Sequence, residues 1–224
     1  MGNVSKSRSR GRPPKTENDQ EQIKTHIAQA AIRAFAEHGY HRMTVEHILF
    51  HADVSRPTFY KYFRQIEEAL VLGMQPYSQE LINNLKTTLN ESDDLILNAI
   101  SAFEAYVNWA KNLGTMIAPI YAEFYDASSP IAAFRLEVVN ILLALIKQTL
   151  IDSGRTVPSA TILSLFITGV EFLTFRFLLK TDRSEIYWLE TREAMMRLLV
   201  ATLGSSQDLP LISLLLQNQT PPKI

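Results

Sequence analysis

Apolar residues recur at intervals of three and four along almost the whole chain from residue 17 onward. This spacing places them on one face of successive α-helices. The sequence contains no strand-like alternation of useful length and no repeat of fixed period. The pattern therefore predicts an all-α protein of about nine helices.

The N-terminal part of the pattern predicts a helix-turn-helix. Three helices are expected there, over residues 17–38, 45–51 and 57–63. Gly39 is a typical residue for ending the first helix, and Thr44 is a typical N-cap for the second. The second and third helices are short and a tight turn separates them, so together they form the motif.

The rest of the chain predicts six further helices. They are expected over residues 65–89, 93–112, 115–125, 129–152, 158–180 and 185–203. Turn and capping residues mark the breaks between them. Residues 1–16 are expected to be a flexible basic arm, because they hold little that could be buried. Residues 205–224 are expected to be a C-terminal tail.

The charge of the chain is unevenly distributed, although its net value is only -1. Residues 1–64 carry 11 Lys and Arg against 6 Asp and Glu, whereas residues 65–224 carry 11 against 17. A basic end on an acidic body suits the binding of a polyanion at that end alone. The distribution indicates double-stranded DNA as the partner of the N-terminal part.

The composition favours a cytoplasmic protein over a secreted or membrane protein. The chain has no cysteine, which excludes disulfides and thiolate metal sites and fits a reducing compartment. Its basic start is not followed by the apolar stretch of a signal sequence. The longest apolar run, residues 159–179, contains Glu171 and Arg176, which the centre of a bilayer disfavours. We therefore expect a buried helix and no membrane contact.

The residues from Gly39 to Val45 and from Ala52 to Phe63 resemble the signature of TetR/AcrR transcriptional regulators. The resemblance implies that residues 17–64 bind operator DNA and that residues 65–204 bind an effector and dimerise. The implied function is that of a homodimeric repressor released from a palindromic operator by a small apolar or amphipathic effector. Two alternatives stay open: an activator of the same family, and a helical adaptor protein without specific DNA binding.

Eight residues of the helix-turn-helix and two of the basic arm are candidate DNA contacts. Hydroxyl and cationic side chains at the start of a recognition helix reach base edges and phosphates. The candidates are Thr44, Ser55, Arg56, Pro57, Thr58, Tyr60, Lys61 and Tyr62, with Arg10 and Arg12 of the arm. Tyr60 and Tyr62 are expected to contact phosphates through their hydroxyls. Phe59 and Phe63 are expected to face the core.

Departures from the family pattern carry further predictions. Asp53 stands where the family usually has a glycine, and Asp tolerates the left-handed backbone region better than most residues. Pro57 disfavours the helical region for the residue before it, so Arg56 is predicted to cap the third helix. The segment Arg10 to Pro13 resembles the core of an AT-hook. The arm therefore either contacts the minor groove or phosphates, or stays a solvated tail.

Aromatic residues concentrate between residues 100 and 135. They are candidates for an effector pocket, with ordinary core packing as the alternative, and the resemblance favours the pocket. The candidates are Phe103, Tyr106, Trp109, Tyr121, Phe124 and Phe134.

The last two long helices are the candidate dimer interface. By the resemblance, they form a four-helix bundle with a second copy of the chain. The candidate contacts are Leu163, Phe166, Ile167, Val170, Leu198, Leu199 and Thr202. Glu171 and Arg176 are expected to form ion pairs across that interface or within it.

Signatures of an enzyme or a metal site are weak. His47 and His51 have the spacing of a helical metal pair, but no third ligand is evident nearby, so no metal is expected. The sequence contains no phosphate loop, dinucleotide fingerprint or nucleophile elbow. We expect a non-enzymatic protein without a cofactor.

Overall fold

The computed structural model describes residues 16–92, 94–181 and 184–205, and in these ranges the chain is helical throughout with no strand. The helices are α1 (Glu17–His38), α2 (Val45–Ala52), α3 (Arg56–Tyr62), α4 (Ile66–Thr88), α5 (Leu95–Asn112), α6 (Ile117–Glu123), α7 (Pro130–Asp152), α8 (Ala160–Leu179) and α9 (Glu185–Leu203). The predicted all-α fold and its nine helices are confirmed in the described ranges. The predicted arm, except Thr16, and nearly all of the predicted tail lie outside them.

Side-chain caps fix where the helices begin. The hydroxyl of Thr16 accepts a hydrogen bond from the Asp19 amide at 3.2 Å, and the Asp19 carboxylate accepts one from the Thr16 amide at 2.9 Å. This reciprocal pair satisfies two backbone groups that the first turn leaves without partners. Gly39 has a φ of 68°, a region that favours glycine, and α1 ends there.

The first three helices form a small bundle around α1. Phe35 of α1, Ile48 of α2 and Phe59 of α3 are completely buried and belong to the same apolar cluster. Two side chains of α1 also hold the end of α2: His26 donates to the carbonyl of Ala52 at 2.9 Å, and Arg33 donates to that of His51 at 3.0 Å. The last carbonyl groups of a helix receive no hydrogen bond from within the helix. The side chains of α1 supply these hydrogen bonds and thereby fix α2 on α1.

The bundle rests on α4 through a close contact at Gly73. A Cβ atom at this position would lie 2.6 Å from the Ala28 carbonyl oxygen and 2.6 Å from a side-chain carbon of Ile32. The absence of a side chain therefore allows α1 and α4 to approach closely. α1 also packs against the short 3-10 turn Gly114–Met116 that precedes α6.

Helices α4 to α9 enclose the second and larger core. α5 packs between α4 and α8, α7 packs on α4 and α8, and α9 packs along α8. By length and composition α8 alone of the described helices could cross a membrane, yet eight of its side chains, including the carboxylate of Glu171, are buried in this core. One face of α8 is therefore buried in the protein, as expected, while its other face is exposed.

Candidate functional site

The exposed surface of α2 and α3 gathers most of the residues that the sequence singled out as DNA contacts. Seven of the eight helix-turn-helix candidates are accessible to solvent. Thr58 is half-buried, and the other six are exposed: Thr44, Ser55, Arg56, Pro57, Tyr60 and Lys61. Phe59 and Phe63, on the opposite side of α3, are buried with ring centroids 5.8 Å apart, as predicted. Core packing thus turns the polar face of α3 outward.

The start of α3 differs from the prediction. Ser55 is the N-cap, and its hydroxyl oxygen accepts from the Thr58 amide at 3.4 Å, so Arg56 lies inside the first turn. The prediction that Arg56 caps the helix was wrong. Pro57 is tolerated as the second helical residue because its missing N–H would have no acceptor within the helix.

The turn between α2 and α3 has the geometry that its sequence requires. Asp53 has φ 49° and ψ 46°, in the left-handed region, and it is the only described non-glycine residue with a positive φ. The expectation that Asp replaces a family glycine by adopting this conformation is confirmed.

Tyr62 is not placed as predicted. Its hydroxyl oxygen is buried and has no hydrogen-bond partner among the residues that the structure describes. In this arrangement the hydroxyl cannot meet a phosphate, so Tyr62 belongs to the support of α3 rather than to its contact surface. Lys61 lies over the Tyr62 ring, with its Nζ atom 5.4 Å from the ring centroid. Arg10 and Arg12 lie outside the described residues.

One exposed aromatic residue of this surface was missed in the sequence. Phe50 of α2 has 82% of its surface exposed, more than any other large apolar residue described. The helical pattern assigned its neighbours Ile48 and Leu49 to the core and offered no signal for Phe50. Single exposed apolar side chains are common on protein surfaces, so Phe50 by itself does not mark an interface.

The second site is a cavity of about 150 Å³ that is lined by α4 to α9 and is partly open to solvent. Five of the six aromatic residues predicted for a pocket line it, namely Phe103, Tyr106, Trp109, Phe124 and Phe134. The sixth, Tyr121, does not line it and instead stacks on Phe175, with the ring centroids 5.0 Å apart. Leucine, isoleucine and valine side chains form most of the remaining wall.

Two charged side chains of the cavity wall, Arg135 and Glu171, pair with each other. The Nε atom of Arg135 donates to both carboxylate oxygens of Glu171, at 3.1 and 3.2 Å, and its guanidinium lies over the Phe124 ring. The predicted pairing of Glu171 with Arg176 was wrong, because Arg176 is exposed and Glu171 points to α7. Burial raises the pKa of Glu171 although the contact with Arg135 opposes the rise. Burial also raises the pKa of Tyr106.

One helix joins the cavity to the bundle formed by α1, α2 and α3. α4 lines the cavity through Met74, Ser78, Leu81 and Leu85, and Gly73 of the same helix contacts α1. Pro76 lies within the lining segment and removes one backbone hydrogen bond from the helix interior. The indole N–H of Trp109 in α5 donates to the carbonyl of Tyr77 at 2.8 Å. This hydrogen bond holds α4 in place next to Pro76.

Comparison with known proteins decides the family. Residues 27–71 match the model for bacterial regulatory proteins of the tetR family. This match assigns the helix-turn-helix domain of the chain to the tetR family. The chain is also 23% identical over 159 residues to the HTH-type transcriptional activator FasR of Mycolicibacterium smegmatis, and the matched stretch covers 69% of this chain and 71% of FasR. These likenesses support a DNA-binding transcriptional regulator.

Solved structures share the fold of the regulator. A TetR-family regulator from Streptomyces coelicolor superposes with a TM-score of 0.64 at 17% identity, covering 90% of each chain. A second from Syntrophomonas wolfei gives a TM-score of 0.66 at 18% identity, covering 82% of this chain and 96% of the other. Both likenesses extend from the helix-turn-helix into the larger helical core.

Most of the residues predicted for the dimer interface are buried in the interior of the single chain. Leu163, Phe166, Ile167, Val170 and Leu199 are buried in the single chain, and Leu198 and Thr202 are half-buried. A buried side chain cannot meet a second copy, so the structure corrects this set. The other face of α8 carries an exposed apolar stripe formed by Ile162, Leu165, Phe172 and Leu179, with exposures of 40–57%.

The histidine pair of α2 does not converge on a common point. The ring of His47 stacks on that of His38 with centroids 3.8 Å apart, while His51 approaches Glu37 at 3.3 Å. The helical spacing that suggested a metal pair therefore has a packing role in the regulator.

Proposed function

We propose that the regulator is a homodimeric repressor that binds a palindromic operator and is released from it by a small apolar or amphipathic effector. The observation that carries the proposal is the double role of α4, which lines the cavity and also supports the DNA-facing bundle at Gly73. We further propose a cytoplasmic location, since the protein must reach the DNA that it controls.

The operator contacts follow from the exposed surface of α3. We assign Arg56, Thr58 and Lys61 to base edges or nearby backbone, and Tyr60 and Thr44 to phosphates, with the positive end of α2 behind Thr44. Helix α3 would enter the major groove, and its symmetry mate would enter the next one, about 34–36 Å away. Arg10 and Arg12 are assigned to the adjacent minor groove.

The size and chemistry of the cavity restrict the effector. An apolar cavity near 150 Å³ has room for a group the size of benzene, whereas drug-sized ligands need about 300 Å³ or more. Since Arg135 and Glu171 neutralise each other in the wall, an apolar part of the effector is favoured over a charged one. A larger effector must push the lining helices apart.

This displacement explains release from DNA. The segment of α4 that contains Leu81 and Leu85 moves outward when the cavity widens, and Pro76 lets the helix bend there. The contact at Gly73 then carries the movement to α1 and changes the separation of the two α3 helices. An effector that prefers the widened state lowers operator affinity by about 5–150-fold, the range of typical coupling energies.

The second copy is assigned to the exposed stripe of α8. Regulators of this family usually act as dimers. Ile162, Leu165, Phe172 and Leu179 follow one face of the helix and would form a two-fold symmetric contact with the same residues of the partner. Arg176, exposed on the same face, would lie at its edge.

The test is selection of bound sequences from random duplex DNA with the full chain, repeated with residues 1–16 deleted and at two salt concentrations. We expect a palindromic site with half-sites one helical turn apart, and an A·T preference beside it that the deletion removes. Weak, sequence-indifferent binding that falls steeply with salt would contradict the proposal and favour the adaptor alternative.

Activation of transcription is the second candidate, because the curated relative FasR is an activator. A reporter fused to a promoter that contains the selected site distinguishes the two. Expression that rises when the regulator is deleted supports repression, whereas expression that falls supports activation.

A further inference from the structure

Three ligating side chains from distant parts of the sequence meet beside the helix-turn-helix. His41 lies in the 3-10 turn Tyr40–Arg42 between α1 and α2, Glu123 is the last residue of α6, and Asp126 follows in the loop to α7. The Nε2 atom of His41 is 2.7 Å from the Oδ2 atom of Asp126 and 3.7 Å from the Oε2 atom of Glu123. All three atoms lie within 4.8 Å of one another.

The carboxylate of Glu123 is buried without being satisfied. Its residue is 7% exposed, and its Oε2 atom has no hydrogen-bond partner in the part of the chain that the structure describes. Leaving a buried carboxylate oxygen without a donor is unfavourable. This oxygen faces the His41 ring, and a cation bound there would supply the missing interaction.

The carboxylate of Asp126 is held in position by its neighbour. Its Oδ1 atom accepts from the amide of Ser128 at 2.9 Å and from the Ser128 hydroxyl at 2.6 Å. Its second oxygen, Oδ2, lies 2.7 Å from the Nε2 atom of His41. Outer hydrogen bonds of this kind orient metal ligands.

The surrounding charge favours a cation. No Lys or Arg lies within 4.0 Å of the Glu123 or Asp126 carboxylate among the described residues. In the part of the chain that the structure describes, the imidazole of His41 is the one potentially cationic group within 4.0 Å of these two carboxylates.

We propose that His41, Glu123 and Asp126 bind one divalent transition-metal ion of the zinc class, with water completing the coordination. One imidazole nitrogen and two carboxylate oxygens suit such an ion better than they suit Mg²⁺, which prefers oxygen alone. Ligand atoms around tetrahedral zinc lie about 3.3 Å apart, given bond lengths near 2.0–2.2 Å. The two measured separations, 2.7 and 3.7 Å, lie on either side of this value.

The site is separate from the cavity and from the α3 surface, and it joins the two parts of the regulator. His41 belongs to the turn inside the helix-turn-helix, whereas Glu123 and Asp126 belong to the larger core. A bound ion would therefore attach the DNA-facing bundle to the core at a further point, in addition to the contacts of α1 with α4 and with the turn Gly114–Met116. Occupancy is expected to stabilise the folded protein, because the unfolded chain does not bring these ligands together.

The test is titration of the chelator-treated full chain with Zn²⁺ by calorimetry, with Co²⁺ as a spectroscopic probe. We expect one Zn²⁺ per chain, visible Co²⁺ absorption bands and a higher thermal midpoint with Zn²⁺, whereas Mg²⁺ produces none of these. His41→Gln and Asp126→Asn should each weaken Zn²⁺ binding by at least about tenfold and abolish the thermal shift.

Control variants separate this site from adventitious binding to other histidines. His38→Gln and His51→Gln remove imidazoles of the same domain and should bind Zn²⁺ as the parent does. Glu123→Gln keeps the shape of the buried side chain and gives a third loss of binding. Absence of a stoichiometric Zn²⁺ event, or equal binding by the parent, His41→Gln and Asp126→Asn, would overturn the proposal.

Discussion

Arg56, at the start of α3, forms an ion pair with Glu46 of α2, and both side chains are more than half exposed. In the proposed complex Arg56 must leave this partner to reach DNA, and the carboxylate of Glu46 would also repel phosphates. In the free protein, the ion pair with Glu46 therefore competes with DNA for Arg56.

Replacing Glu46 by Gln is expected to strengthen operator binding. The gain should be about two- to fivefold, the range expected for removing a weak exposed ion pair, and it should shrink as salt is added. Fluorescence anisotropy with the selected operator measures it. Glu37→Gln removes the same charge from α1 and should change affinity less. A Glu46→Gln variant that binds no better than Glu37→Gln would show that Arg56 is not restrained.

Replacing Gly73 by Ala is expected to destabilise the regulator. The new methyl group would meet the Ala28 carbonyl oxygen, which is backbone and cannot move aside, so we expect a loss of about 1–3 kcal/mol in the free energy of unfolding. Denaturant unfolding gives the value. Gly169→Ala is the matched control, because its methyl meets only the end of the flexible Leu198 side chain. Similar losses in both variants would argue against a special contact at Gly73.

The pair of Arg135 and Glu171 is expected to show strong coupling. Glu171→Leu leaves the buried guanidinium unpaired and should cost about 3 kcal/mol of stability, while the double variant Arg135→Met, Glu171→Leu should recover most of it. Chemical unfolding of the parent, both single variants and the double variant completes the cycle. Additive losses would mean that the two groups do not depend on each other.

A charge in the exposed stripe of α8 is expected to separate the proposed dimer. Leu165→Glu should raise the dimer dissociation constant at least about tenfold, because an unpaired carboxylate would be buried in the apolar contact. Sedimentation equilibrium measures the association. Leu97→Glu alters an equally exposed leucine of α5 and should leave it unchanged. If Leu165→Glu remains as dimeric as Leu97→Glu, the stripe is not the interface.

Filling the cavity is expected to abolish the binding of a small apolar probe. Benzene should raise the thermal midpoint of the parent, since a cavity of this size and lining can hold it. Ala102→Leu places a larger side chain in the cavity wall and should remove the shift. Ala133→Leu, at an exposed position of α7, serves as the control. A shift that persists in Ala102→Leu would place the binding elsewhere.

Local sequence signals predicted the elements well because they act over a few residues. Thr44 caps α2 and Gly39 ends α1, both as predicted, although Arg56 was wrongly predicted in place of Ser55 as the cap of α3. These interactions need only neighbours along the chain, so a single sequence contains them in full.

Long-range contacts were missed because no local pattern encodes them. Arg135 and Glu171 are 36 residues apart, and His41 and Asp126 are 85 apart. The prediction of the dimer-interface residues was wrong for another reason. α8 is apolar on nearly every side, so its period alone cannot distinguish the face that packs on α5 and α9 from the face that stays exposed. The sequence therefore predicts that α8 is a helix but does not predict which of its faces is buried.

The hydrogen bonds from His26 and Arg33 to the end of α2 make the surface that meets DNA part of one rigid unit built on α1. In the proposed mechanism, an effector changes where that unit lies and does not reshape the unit itself. Changes in operator preference and changes in effector response should therefore accumulate in different segments of the chain during evolution, the former in α3 and the latter around the cavity and α4. One property can be redesigned in the laboratory while the other is retained.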